Sequence, residues 1–326
     1  MWIRKFRLEV TVKGLPTIVY EDLRMDFRYN ELFSVGEKTN MANTFDIDIY
    51  NLSVASHKAL VSTDKVQVKF YAGYQDTDKL DLVFNGIAHN VTGRRALPEY
   101  ITTLHCIPIG LAQASKSISY KGKREDTVRD VILGIAKQLG IKSISYEGTK
   151  QMVSEDAPSH TITGNGIAEL IAFSKTYFFL PIIEDSHLRI TALPEANKIS
   201  TLKSHKLNAE LLRGIPEVTT AWLSIPYSFN RKFKVGEAID VTELLGKRTN
   251  ALEGTGIGEP SGVFNLSGID SRALHYSSSI RDWAMKDKYQ IMGIYHAGSN
   301  YTDQFISYYN CVCYAPNLKG AKTNGV

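Results

Sequence analysis

The stretch Thr44-Phe45-Asp46-Ile47-Asp48-Ile49-Tyr50 alternates without a break, with Phe45, Ile47 and Ile49 on one side and two aspartates on the other. Side chains two apart share a face of a strand, so this period fits a half-buried β-strand and no helix. The same grammar recurs over 6–12, where Phe6, Leu8, Val10 and Val12 alternate with charged residues and Thr11, and over 22–29 through Leu23, Met25 and Phe27. Val66-Gln67-Val68-Lys69-Phe70-Tyr71, Leu80 to Phe84 and Ile101 to Cys106 continue the series, with Gly73 and the polar run 75–78 as punctuation. Short strands at close spacing predict a β-barrel or sandwich over roughly 1–110.

The period then changes. Val128, Ile132, Ile135 and Leu139 are spaced 4, 3 and 4, one face of a helix over 126–139. Thr127 with Asp130 reads as a capping box, and Gly140 as the stop. A second helix is expected over 165–177 from Ile167, Leu170, Ile171 and Ser174. A hairpin is expected from Leu180-Pro181-Ile182-Ile183, the turn 184–186 and His187 to Thr191. Strands return at Val218 to Ile225, Ala238 to Val241, Tyr289 to His296 and Gln304 to Tyr314, a loose echo of the first β region. Residues 246–280 are rich in Gly, Ser and Asn; a loop of this length in a compact domain is functional or mobile, and it is the expected partner contact. The tail 319–326 is expected to fray.

With 326 residues, 43% hydrophobic and 22% charged, the chain is long enough for two or three domains and is not of disordered composition. A formal charge of +4 is too small to argue for a nucleic-acid coat. No window resembles a membrane span, and the charged, alternating start does not resemble a secretory signal. Three cysteines make no disulfide framework; Cys311 and Cys313, on one face of a strand, read as buried thiols in a reducing compartment.

Chemistry is sparse. Residues 254–260, Gly-Thr-Gly-Ile-Gly-Glu-Pro, lack the strand before and helix after that make a phosphate loop work. His57, His89, His105, His160, His187, His205, His275 and His296 are dispersed, with no His-x-x-x-His pair. No Gly-x-Ser-x-Gly elbow occurs. Asp46 and Asp48 share a strand face as an acid/base pair would, but an exposed carboxylate pair balanced by a neighbouring Lys or Arg is the simpler account. Arg94-Arg95 reads as a solvated or intersubunit charge pair. The expectation is therefore no catalytic, cofactor-binding or metal site, and no enzyme.

Four phrases carry a resemblance. They are 43–53 ending in Tyr50-Asn51-Leu52-Ser53, 65–74 ending in Ala72-Gly73-Tyr74, Leu82-Val83-Phe84-Asn85-Gly86-Ile87, and Val91-Thr92-Gly93-Arg94-Arg95. Together they resemble the first barrel of bacteriophage tail baseplate hub proteins. The two helices and the hairpin resemble that family's middle segment, 211–216 and 233–239 its second barrel, and Ile294-Tyr295-His296-Ala297-Gly298 its closing strands.

The resemblance implies a mainly β chain with an α/β insert: a first tube-like barrel over 1–112, a mixed insert over 113–210 and a second barrel over 211–326. It implies a homotrimer whose two barrels per chain form a pseudo-six-fold ring, joining a six-fold tail tube to a three-fold spike. The implied partners are the tail tube protein, the central spike or tip protein, baseplate wedge proteins and the tape measure protein. DNA would pass the lumen without specific binding. The spike is expected as a separate chain, and the site of action as the virion tail, assembled in host cytoplasm. Other readings are a carbohydrate-binding or glycan-cleaving β protein, or the hub of a contractile bacteriocin or secretion device.

Overall fold

The computed structural model describes residues 4–12, 14–32, 43–62, 66–74, 80–110, 116–147, 152–157, 161–184, 186–192, 202–214, 216–218, 223–241 and 288–312. The loop 246–280, the glycine-rich run 254–260, Cys313 and the tail lie outside these. The chain divides into two compact units, Met1–Ala192 with Tyr295–Ile306, and Leu193–Ile294 with Ser307–Val326. The molecule is mainly β, as the alternation predicts.

In the first unit the strands are β1 (Arg4–Val12), β2 (Ile18–Tyr20), β3 (Met25–Leu32), β4 (Thr44–Tyr50), β5 (Val66–Tyr74), β6 (Asp81–Ala96) and β7 (Glu99–Pro108). Their order is β3-β4-β7-β6-β5-β1-β2, and residues 295–299 lie beside β3. The β3–β4, β4–β7, β7–β6, β6–β5, β5–β1 and β1–β2 pairings are all antiparallel.

Period-2 patterning places Phe6, Leu8 and Val10 of β1, Phe45, Ile47 and Ile49 of β4, and Val66, Val68 and Phe70 of β5 in one core. The ring of Phe6 meets that of Phe27 at 5.5 Å and that of Phe70 at 5.2 Å, and Phe45 stacks on Phe84 at 4.3 Å. Four strands separate β1 from β3 in the sheet order, so Phe6 reaches Phe27 because the sheet curls back on itself. Each such ring contributes about 1.5–3 kcal/mol by burial.

The curl is secured by side chains. The Arg4 guanidinium donates to the carbonyls of Ser299 (3.5 Å), Thr302 and Asp303 (2.9 Å) and lies over the Phe305 ring at 5.6 Å. Asn300 fixes the same turn to the start of β3. Its Oδ1 accepts from the Met25 N–H at 2.8 Å, and its Nδ2 donates to the Leu23 carbonyl at 2.8 Å.

A short helix, α1 (Val54–Val61), interrupts the strands; Ser53 caps it by accepting from the Ser56 N–H. The sequence reading leaves this helix out.

The middle of the chain adds β8 (Ser117–Lys121), α2 (Val128–Leu139), β9 (Ser143–Glu147), β10 (Thr161–Asn165), α3 (Gly166–Thr176), β11 (Phe179–Glu184) and β12 (His187–Ala192). Both expected helices form. Thr127 and Asp130 make the reciprocal capping box of α2, and Gly140 ends it at φ 75°. Asn165 caps α3. The expected hairpin is β11–β12, and β9 joins it in parallel to β12. Val128, Val131, Ile132, Ile135 and Leu139 pack with Leu170, Ile171 and Phe179 in this core.

The second unit holds β13 (Ser204–Lys206), β14 (Glu217–Val218), β15 (Leu223–Ser228), β16 (Ala238–Asp240), most of β17 (Lys288–Ser299) and most of β18 (Phe305–Val312). The order is β14-β15-β18-β17, with β16 on β17 and β13 on β16. The expected single strand over 218–225 is instead a reversal, because Val218 pairs with Leu223 antiparallel. Tyr227, Phe233 and Tyr309 gather in its core, with Phe233 and Tyr309 at 5.2 Å.

Candidate functional site

The outer face of the curled sheet in the first unit carries several polar clusters. Cross-strand register places Asp46 opposite Arg28 and His105, and Asp48 opposite Asp26 and Thr103. Asp48 is buried, where an exposed carboxylate is the sequence expectation. It accepts from Thr103 Oγ1 and Arg28 (3.3 Å), with Arg94 at 3.8 Å. A buried carboxylate persists only when paired and hydrogen-bonded. Arg94 is thus part of an intramolecular ion pair, while its neighbour Arg95 is exposed.

Asp46 bonds His105 Nδ1 at 2.8 Å, and Thr92 Oγ1 lies 3.3 Å from the other ring nitrogen. One step along, Arg24 stacks over Tyr50 at 3.9 Å and Tyr301 at 4.8 Å and bonds Glu99. The Tyr50 hydroxyl donates to Asp26 at 2.7 Å; burial and that carboxylate raise its pKa. The two aspartates are therefore anchors of separate charge clusters, each holding neighbouring strands in register.

The His89 ring comes within 6.4 Å of the His105 ring, between centroids. His57 of α1 lies 3.1 Å from Thr102 Oγ1 and 3.3 Å from the Tyr100 hydroxyl. His296 is buried against Tyr29. His187 stands between Ser143 (2.7 Å) and Ser145 (2.9 Å), a grouping hidden from sequence because it needs the parallel β9–β12 register. His160 and His275 lie outside the described residues.

In the second unit His205 Nε2 lies 2.7 Å from Glu237, which also receives Lys203 Nζ at 2.8 Å and the Lys234 N–H at 2.9 Å. Burial pushes the Glu237 carboxyl up, but these donors outweigh it and hold the pKa below the usual Glu value. Among the described residues no group of three His, Cys, Asp or Glu side chains is placed to hold a metal. Cys106 and Cys311 are buried and their pKa values are raised by that burial, which keeps them protonated and inert.

An open groove of about 500 Å3 runs over the outer face of β1 and β5, lined by Lys5, Arg7, Glu9, Glu21, Tyr71, Tyr74 and Leu80. Its charges neutralise one another: Arg7 meets Glu9 at 2.7 Å and Glu21 at 3.6 Å, and Lys5 meets Glu21 at 3.9 Å. No described helix is long and apolar enough to cross a membrane.

No protein-family model and no curated protein matches the chain. Solved structures do. The tail protein from Neisseria meningitidis MC58 matches at a TM-score of 0.52 and 10% identity, over 95% of this chain and 98% of that one. The 43 kDa tail protein of prophage MuSo2 from Shewanella oneidensis matches at 0.52 and 10%, over 94% of this chain and 96% of that one. At that identity the likeness is one of fold, and this chain is similar in fold to those two tail proteins.

Proposed function

We propose that this chain is a structural component of a phage tail and serves as its baseplate hub. The observation that carries the reading is the match to a tail protein along 95% of this chain and 98% of the other. In this reading three copies assemble, the β regions of 1–112 and 211–326 act as tube-like barrels around a pseudo-six-fold ring, and the segment 113–210 decorates it. The ring joins the tail tube above to the central spike below, with wedge and tape measure proteins as neighbours and DNA passing without sequence-specific contact. The chain acts in the virion, after assembly in the host cytoplasm, and without catalysis.

The chemistry described above supports this. The buried carboxylates Asp48 and Glu237 are committed to ion pairs that hold strands, and the two described thiols are buried. Such groups fix a shape that must survive assembly. Immunogold labelling of purified tails against the chain tests the role: label at the tip end is expected, and label confined to the soluble fraction would overturn it.

A further inference from the structure

The groove over the outer face of β1 and β5 has no part in the role proposed above. Its volume of about 500 Å3 falls within the range of about 300–1,000 Å3 that small-molecule sites occupy. Its walls stand on regular structure, because β1 and β5 pair without a break from Arg4 with Tyr74 to Val12 with Val66. Alternation turns the buried Phe6, Leu8 and Val10 of β1 to the core and Lys5, Arg7 and Glu9 to the groove. The Arg7 guanidinium lies over the Tyr71 ring at 6.0 Å, and Tyr74 stands edge-on to the Phe305 ring at 5.3 Å. Both tyrosines of the groove are thus held by packing, and a site so preorganised loses little freedom when it is filled.

The lining selects the class of ligand. It holds two cations, Lys5 and Arg7, and two carboxylates, Glu9 and Glu21. These interlock: Arg7 meets Glu9 at 2.7 Å and Glu21 at 3.6 Å, Lys5 meets Glu21 at 3.9 Å, and the Tyr71 hydroxyl donates to Glu9 at 3.4 Å. An anion would face the two carboxylates, and a cation would face Lys5 and Arg7. A wholly apolar molecule would strip water from four charges and offer them no hydrogen bond in return. A neutral polyhydroxyl molecule meets neither objection. Each hydroxyl is one donor and two acceptor lone pairs, so neighbouring hydroxyls accept from Arg7 or Lys5 while donating to Glu9 or Glu21. Such bonds to charged groups are roughly twice as strong as neutral ones. The C–H face of a pyranose ring is apolar and suits the Tyr71 ring.

We propose that this groove binds a neutral saccharide, with Tyr71 as the stacking wall and the linked charges of Lys5, Arg7, Glu9 and Glu21 reading its hydroxyls. The proposal does not rest on the hub role or on the number of chains that assemble.

Saturation-transfer difference NMR on the full chain tests it, with N,N′-diacetylchitobiose and cellobiose as neutral probes and digalacturonate as the charged one. Transfer to a neutral probe with a Kd of about 1 mM is expected, as suits an open groove, with weaker transfer to digalacturonate. Tyr71→Ala is expected to weaken neutral binding by about tenfold through loss of the stacking wall. Glu21→Gln leaves the lining with one net positive charge and is expected to move the preference toward digalacturonate by about fivefold. That reversal of selectivity is a readout that damage to the fold would not produce, and it decides the matter by itself should Tyr71→Ala fail to fold. Absence of transfer to both neutral probes, a wild-type preference for digalacturonate, or neutral binding unchanged in Tyr71→Ala would each overturn the site. All three outcomes leave the hub reading standing.

Discussion

Glu237 shows how a single carboxylate can carry an element. Its oxygens collect Lys203, His205 and the Lys234 N–H, and the first two flank or belong to β13, which pairs with β16 over three residues only. Glu237→Gln is expected to cost about 1.5–3 kcal/mol, the range for hydrogen bonds to a buried charge, read by chemical denaturation. The folded-state pKa is lowered, so the stabilisation is complete above the unfolded Glu value of about 4.3 and is lost as the pH falls through the lower folded value. The gap between wild type and variant should therefore hold steady from pH 7 to about pH 5 and narrow below about pH 4.

Motif residues divide between turn geometry and strand interiors: Gly73, expected as punctuation, pairs with Lys5 inside β5. Asn51 adopts φ 56° at the end of β4, and its Oδ1 accepts from the Tyr100 N–H, as a turn-forming residue there should. Gly86 sits inside β6, where a Cβ would fall 2.2 Å from the Ile107 carbonyl oxygen and 2.4 Å from the Phe84 ring. It is a glycine of close packing, which a sequence cannot distinguish from a glycine of a turn.

Elements were readable in proportion to the apolar surface they bury. In α2 six residues are buried along one face, and both ends carry a legible signal, the Thr127–Asp130 pair at the start and Gly140 at the end. Thr127→Ala removes the reciprocal cap and is expected to lower stability by about 1 kcal/mol. The shift in thermal midpoint checks this, and Thr127→Ser should restore most of it. The helix α1 lacked a readable signal because Leu60 is its one buried residue, while Val54 and Val61 face solvent. Periodicity cannot reveal a helix that buries one side chain. The reversal between β14 and β15 reads as a continuous strand because alternation alone does not show that Val218 pairs back with Leu223, only five residues on. The candidate clusters suffered the same limit: Asp46 and Asp48 were visible, but their partners His105, Thr103 and Arg94 come from strands 46 or more residues away.

At the scale of the molecule, a curled sheet must be held where its ladder stops. Arg4 does this in the first unit by donating to three carbonyls of the 299–303 turn. Arg4→Ala is expected to cost about 1 kcal/mol, since these donors are partly exposed. Hydrogen exchange should quicken in β1 and in residues 299–305 ahead of the α2 core; uniform exchange in both would mean that ring packing alone holds the curl.

The proposed function requires that this fold serve assembly, three chains to a hub. Native mass spectrometry of the purified full chain tests it most directly. A dominant species of three times the 36.4 kDa chain mass is expected. A single-chain mass at every concentration from micromolar upward would contradict it.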